Sequence, residues 1–556
     1  MDQPYPRPSP VLQATEAVLL LVATIFLALH AVHLSADFPN HSPWMDWAKY
    51  TDEGWYGDGA IRHFQRGHWY VPGDFNPAVA LPIWPLLEAV LFRFTGVNLA
   101  AARALTVAIF AGILFASYFL VRRWQLLSTG RNAETSLAPA IGVLLLAVSP
   151  FCYVFTRMAI LEPLLILLTL LTLLASSYAT LPEQGSARSI QVRQSWPVLA
   201  LGLLVPLMVL TKTTAIFLLP SIAWLLWARS EYNLRRFFRL IFPAALLAAV
   251  TWLSYYLFVV RPHFLSDYRY LFSANSHTGI TPSTALSVVS DTIADGIWMG
   301  RILYPLALLA AASAFFLRPR LSRNPLIPTL LLWAAGYAAF LAYHNNLQPR
   351  YYLVIAVPLT LLIPTFFSSL WTTYLKNRTR NQPVRHRFAL ASVVVVLAVL
   401  TLSDARQTLH YVRTPDYTFT SAAAQIHRII SADPSHNPLI LSISGSNLSL
   451  MTGLPSICDD FGTMDLAVRI RAYHPGWYVA WNQVDDDKMD ALAPFYHLQR
   501  IAAFPALDDP ERNLLILYRL DPALPGTAPR RRRKSLHPHL LQTSVEQQAR
   551  PLQLMQ

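Results

Sequence analysis

The 556-residue chain is 54% hydrophobic and only 13% charged, where a soluble chain carries roughly 25% charge. That composition excludes an ordinary soluble enzyme and indicates a polytopic membrane protein. The net charge of +13, from 44 Lys and Arg against 31 Asp and Glu, is accounted for by the positive-inside rule and needs no nucleic-acid partner.

In chain order, apolar segments are predicted as membrane helices at 11–33, 101–121, 137–155, 160–180, 197–211, 214–228, 240–260, 297–317, 326–343, 351–371 and 388–404, about eleven in all. The first is longer than a signal-peptide core and lacks a clear cleavage site after it, so it reads as a retained span. The patch Val79–Phe94 is interrupted by Pro82, Pro85, Glu88 and Arg93 and reads as interfacial helix. Arg and Lys cluster after the second, fourth, sixth, eighth and tenth segments, with Arg122–Arg123, Arg235–Arg236 and Lys376 among them. All fall on one side if the N-terminus is cytoplasmic. The loops 35–100 and 261–296 and everything beyond 403 then lie outside.

Past residue 405 the composition becomes that of a soluble domain. "NPLILSIS", "GWYVAWN" and "NLLILYRL" read as strands, "TSAAAQIHRII" and "DDKMDALAPF" as helices. The expected organisation is a helical membrane domain over 1–405, an extracytoplasmic α/β domain over 406–521, and a disordered basic tail over 522–556. Cys152 and Cys458 suggest neither a disulfide framework nor a Cys-based metal site. There is no Walker A loop, no G-x-G-x-x-G after a strand and no H-E-x-x-H.

The outer loop 35–100 carries "TDEGWYGDG", Thr51–Gly59, in which Asp52, Glu53 and Asp58 stand beside Trp55, Tyr56 and three glycines. A solvated loop with turn glycines is the plain reading of such a run. Its setting argues for more, because carboxylates, aromatics and a Pro/Gly turn lead directly into the amphipathic "PIWPLLEAVLFRF". Such a surface suits the meeting of a lipid headgroup with a polar partner.

Four stretches, in this order, resemble those of the GT-C superfamily, in particular protein O-mannosyltransferases and the bacterial aminoarabinose transferases. They are Asp52-Glu53 with the following aromatics, Gly67-His68-Trp69 and Asn76-Pro77; "TRMAILEPLL"; "LTKTTAIFLLP"; and "HNNLQPRYYLVIAVPL". The resemblance covers residues 10–405. It departs from the family where a Pro-Pro pair is replaced by "ALPIWP". It implies a membrane glycosyltransferase that moves a monosaccharide, hexosyl or pentosyl, from a polyprenyl-phosphate donor to an acceptor hydroxyl with inversion. The implied setting is the extracytoplasmic face of the cell (inner) membrane. The implied partners are the lipid-linked sugar, membrane lipid, and a glycan, lipid or protein acceptor.

The chemistry needs a base for the acceptor proton and cations for the leaving phosphate. Asp52 is the expected base and Glu53 its orienting neighbour, and two adjacent acids raise one another's pKa. Lys212, Arg350 and Arg157, at the outer ends of predicted spans, are the expected phosphate contacts. Snorkelling from a helix end explains the same positions. Glu162, before Pro163, suits either a helix cap or the site. His344, Asn345 and Asn346 suit hydrogen bonds to sugar or phosphate, or a polar loop. Trp55, Tyr56 and Tyr351 are further candidates, the aromatics serving as stacking surfaces or as an interfacial belt. His63 and His68 share the acidic loop, but no ligand spacing is diagnostic, so no metal is predicted and the cofactor is left unknown. A transporter or lipid flippase is the rival reading; such proteins show paired inverted repeats, which are not seen by eye in this sequence.

Overall fold

The computed structural model describes residues 9–39, 42–129, 136–179, 188–274, 303–316, 324–344, 347–376 and 383–523, with Leu286, Ser290, Ala294 and Gly300 besides. Asn345, Asn346, much of the 261–296 loop and the basic tail from residue 524 lie outside the described residues.

The membrane part is built from helices α1 (Pro10–His30), α2 (Asp52–Arg66), α3 (Ile83–Thr95), α4 (Leu99–Thr129), α5 (Ala138–Val148), α6 (Pro150–Phe155), α7 (Leu161–Tyr178), α8 (Arg188–Thr211), α9 (Leu219–Arg229), α10 (Leu234–Tyr255), α11 (Leu265–Ala274), α12 (Leu303–Phe316), α13 (Leu326–His344), α14 (Leu353–Lys376) and α15 (Pro383–Arg413). Over their described residues, the eleven predicted segments fall on these helices and the short 3₁₀ or π turns that adjoin them. Among the described residues, seven helical segments are long and apolar enough to cross a membrane, and four shorter apolar helices accompany them. α7 and α14 form the packed centre, whereas α1, α10 and α15 leave most of their apolar surface outward, as lipid-facing helices do. Helix α15 runs unbroken to Arg413, past the change in composition at residue 405.

Beyond it come α16 (Thr418–Ala432), α17 (Gly445–Thr452), α18 (Leu466–Tyr473) and α19 (Asp486–Leu492), packed with five strands. These are β1 (Ile440–Leu441), β2 (Ser456–Ile457), β3 (Trp477–Trp481), β4 (Tyr496–Pro505) and β5 (Leu514–Pro522), in the order β2-β1-β3-β5-β4. β1 runs parallel to β2 and β3; β5 is antiparallel to β3 and β4. The fold is therefore a helical polytopic membrane protein with a small C-terminal sheet domain.

The stretch read as a loop is a buried helix. In α2, Asp52, Glu53, Gly54, Gly57, Asp58 and Gly59 are all buried. These glycines are contact points rather than turn residues. A Cβ on Gly54 would collide with the Ser446–Asn447 backbone of α17, and one on Gly57 with the Glu88 carboxylate of α3. The Gly54 amide donates to Asn447 Oδ1 at 2.6 Å. The segment before α2 is tied to the sheet domain in a second way. Asp37 accepts the Phe419 and Thr420 amides at 2.8 and 3.1 Å, a carboxylate at the positive end of α16.

Candidate active site

Four elements from distant parts of the chain bring charge to one place. α2 begins at Asp52, so its carboxylate sits at a helix N-terminus, where partial positive charge favours an anion. Glu162 lies in the first turn of α7. Lys212 is an extended residue between α8 and a 3₁₀ turn, Thr213–Leu218. Arg350 lies in a second such turn, Pro349–Tyr352, leading into α14. All four side chains are buried.

Arg350 is the hub. One guanidinium nitrogen lies 2.8 Å from Asp52 and another 2.5 Å from Asp46, whose second oxygen accepts the Arg350 amide at 2.8 Å. Thr51 donates to Asp52 at 2.8 Å. Lys212 forms an ion pair with Glu162. The Tyr351 ring packs against both cations, with Lys212 Nζ 4.1 Å and Arg350 Cζ 4.6 Å from its centroid. Desolvating these ions is expensive, and two cations facing three carboxylates is not an arrangement that maximises stability. Intramembrane or buried charge of this kind marks a functional site by default.

The cluster opens on a cavity of about 850 Å³. Asp52, Tyr56, Lys212, His344, Arg350 and Tyr351 line its polar part, with Trp55. Val205, Pro206 and Val209 of α8, and Ala248, Ala249 and Trp252 of α10, make an apolar wall. Ile443, Asp460 and Phe461 reach it from the sheet domain. Burial raises the Asp52 pKa from its ordinary value; Arg350 opposes the shift, and Asp46 and Glu162 add to it.

Two expected residues stand elsewhere, and a third belongs to the cluster but sits behind the cavity wall. Glu53 turns away from Asp52 and is gripped by Arg103 at 2.7 and 2.6 Å, while also accepting the Ala159 amide at 3.0 Å. The adjacent acids thus answer to different cations, and the like charges acting on Asp52 come from Asp46 and Glu162. Arg157 does not reach the large cavity. Its guanidinium bonds Tyr153 and the carbonyls of Val32 and His33, the last two at 2.7 and 2.6 Å. Glu162 is held behind Lys212 and does not itself line the cavity. Of the two loop histidines, His63 stacks on Trp69 with centroids 5.3 Å apart. Among the described residues, no group of three or more His, Cys, Asp or Glu is placed to hold a metal ion.

Asp46, Arg103 and Asp460 are not among the residues that the sequence motifs single out. Asp46 carried a signal, being a third acid beside tryptophans just upstream of Asp52. Arg103 is a lone cation at the start of an apolar run. Asp460 gave no cue.

No protein-family model matches the chain, and no curated protein matches it in sequence. Solved structures do. ArnT from Cupriavidus metallidurans bound to undecaprenyl phosphate superposes with a TM-score of 0.56 at 15% identity, over 90% of this chain and 98% of that one. The apo state of the same protein gives 0.50 at 14% identity, over 91% and 98%. The chain has the GT-C fold. In this chain the charged cluster and its cavity lie between the segment 35–100 and the starts of α7 and α14. The superposed protein shares that architecture along nearly its whole length.

Proposed function

We propose that the protein is a membrane glycosyltransferase that moves a monosaccharide from a polyprenyl-phosphate donor to an acceptor hydroxyl, with inversion, on the extracytoplasmic face. The observation that carries this reading is the cavity itself: a buried carboxylate at a helix N-terminus and two buried cations share about 850 Å³ with an apolar wall. An undecaprenyl-phosphate complex of the GT-C protein ArnT supports the choice of lipid.

In this account Asp52 takes the proton of the acceptor hydroxyl as it attacks the anomeric carbon. The sugar–phosphate bond breaks, and the leaving phosphate gains charge beside Lys212 and Arg350. Both cations are held in place before the donor arrives, Lys212 by Glu162 and Arg350 by Asp46. Such preorganised charge lowers the barrier without reorganisation during the reaction. The raised pKa of Asp52 makes it a stronger base than a free carboxylate. The prenyl chain runs along α8 and α10. Residues 1–405 form the transferase unit, and the sheet domain over 406–521 lies on the same outer side as the loop 35–100.

The test is incubation of the purified protein with a panel of radiolabelled polyprenyl-phosphate sugars. Transfer or release of label from at least one donor supports the reading. Binding of the lipid with translocation across proteoliposomes and no bond cleavage would instead make the protein a flippase.

A further inference from the structure

The sheet domain contributes a structured loop to the cavity that the proton and phosphate chemistry leaves unused. Residues 458–464, between β2 and α18, hold Asp460 and Phe461 at its wall. The loop is fixed from below by one fully buried guanidinium. Arg469 donates to the carbonyls of Cys458, Phe461 and Met464 at 2.5, 2.7 and 3.1 Å, and to Asp74 of the first outer loop at 3.0 Å. The Gly462 amide donates to the Tyr270 hydroxyl at 3.0 Å, and the Met464 amide to the Gly73 carbonyl at 3.0 Å. Three separate segments therefore hold the loop in one shape.

What it presents is part of an aromatic cluster with an acid beside it. The ring centroids of Trp55 and Phe461 are 5.2 Å apart, those of Trp55 and Phe75 5.2 Å, and those of Phe75 and Phe461 5.5 Å. All three rings are only partly buried and all line the cavity. The Asp460 side chain is 50% exposed, and one of its oxygens is oriented by Lys488 at 3.1 Å. The rings meet at 88°, 66° and 41°, so they form an apolar cluster of ring faces and edges rather than one plane. Such a cluster next to a carboxylate matches a sugar ring, whose C–H face packs on an aromatic ring while its hydroxyls donate to the carboxylate.

We propose that Trp55, Phe75, Phe461 and Asp460 form the subsite for a hydroxylated sugar ring of the acceptor. The inference rests on the transferase reading and deepens it. Asp460 and Phe461 belong to the sheet domain and reach the cavity from a different part of the chain than the α8–α10 wall assigned to the prenyl chain. The acceptor thus enters between the first outer loop and the sheet domain, with its hydroxyl directed toward Asp52.

The test uses full-length protein in nanodiscs and saturation-transfer NMR titrations with methyl glucoside, methyl mannoside, methyl galactoside and methyl glucosaminide, alongside a separate titration with undecaprenyl phosphate. At least one glycoside binds the wild type. Asp460→Asn and Phe461→Leu each weaken it about tenfold, the loss expected for one charge-assisted hydrogen bond or one ring contact. Undecaprenyl phosphate affinity stays within about twofold in both variants, while Lys212→Ala does the reverse. No glycoside binding by the wild type, or binding that neither variant changes, overturns the subsite. Equal loss of glycoside and lipid phosphate in Asp460→Asn also overturns it, because the loop then belongs to the donor's pocket. If undecaprenyl phosphate fails to bind the wild type while the glycoside pattern holds, the donor reading falls and the sugar subsite stands.

Discussion

Asp52 and Arg350 stand 2.8 Å apart in the cavity, and the same guanidinium also holds Asp46 at 2.5 Å. The proposed base and this cation are therefore one electrostatic unit. Arg350 is at once a neighbour that favours ionised Asp52 and a cation facing the place assigned to the phosphate.

That linkage predicts the pH profile. Burial raises the Asp52 pKa and Arg350 lowers it. A base works when deprotonated, so kcat/KM rises with pH through a limb displaced upward from the ordinary aspartate value. Arg350→Gln removes the lowering influence and moves that limb upward by about 1–3 pH units. A limb that stays in place, measured on the residual activity, would separate Asp52 from the titration.

Lys212→Ala is expected to weaken undecaprenyl-phosphate binding by about tenfold or more while the protein remains folded in detergent. The variant also leaves Glu162 buried without its partner, so Lys212→Ala/Glu162→Gln serves as the companion that restores charge balance. Full lipid affinity in both proteins would reduce Lys212 to an anchor at a helix end.

Glu53 carries a different expectation from its neighbour. It accepts two bonds from Arg103 and one from the Ala159 amide, tying α2 to α4 and to the turn before α7. Glu53→Ala strips a buried guanidinium of its counter-ion, a loss of about 3–5 kcal/mol. Thermal unfolding in detergent reads this as a lowered Tm. Glu53→Gln retains a hydrogen-bond acceptor and is milder. A normal Tm in Glu53→Ala would mean that the pair contributes nothing to holding α2.

Much of this was legible in advance, and what was missed has a physical reason. Apolar length and charge alternation locate the eleven segments because backbone satisfaction in lipid leaves little choice but helix. Strands β3 and β5 were legible as apolar runs, whereas β4, Tyr496–Pro505, is an edge strand with mostly exposed or half-exposed residues and no clean alternation. The helix Asp52–Arg66 was hidden because its three glycines imitate a turn. Only tertiary contacts reveal that Gly54 and Gly57 are small so that α17 and Glu88 can approach. Asp52, Lys212 and Arg350 were legible as unusual charges. The division of labour between Asp52 and Glu53, and the distance of Arg157 from the cavity, depend on side-chain directions that sequence spacing does not specify.

The sidedness of the account is open to a labelling experiment. His68 of the first loop and Asp486 of α19 are both exposed, and native Cys152 and Cys458 are buried. His68→Cys and Asp486→Cys are expected to react with an impermeant maleimide from the same, outer side of intact cells or oriented vesicles. Labelling from opposite sides would dismantle the shared site.

The most direct measurement of the central claim is single-turnover transfer by Asp52→Asn, with saturating radiolabelled donor from the panel that the wild type accepts. The substitution keeps size and much of the hydrogen bonding but cannot take a proton. General-base catalysis contributes typically 10²–10⁴-fold, so the rate falls by at least about 100-fold while donor affinity changes little. A variant that retains more than about a third of wild-type transfer would contradict Asp52 as the base.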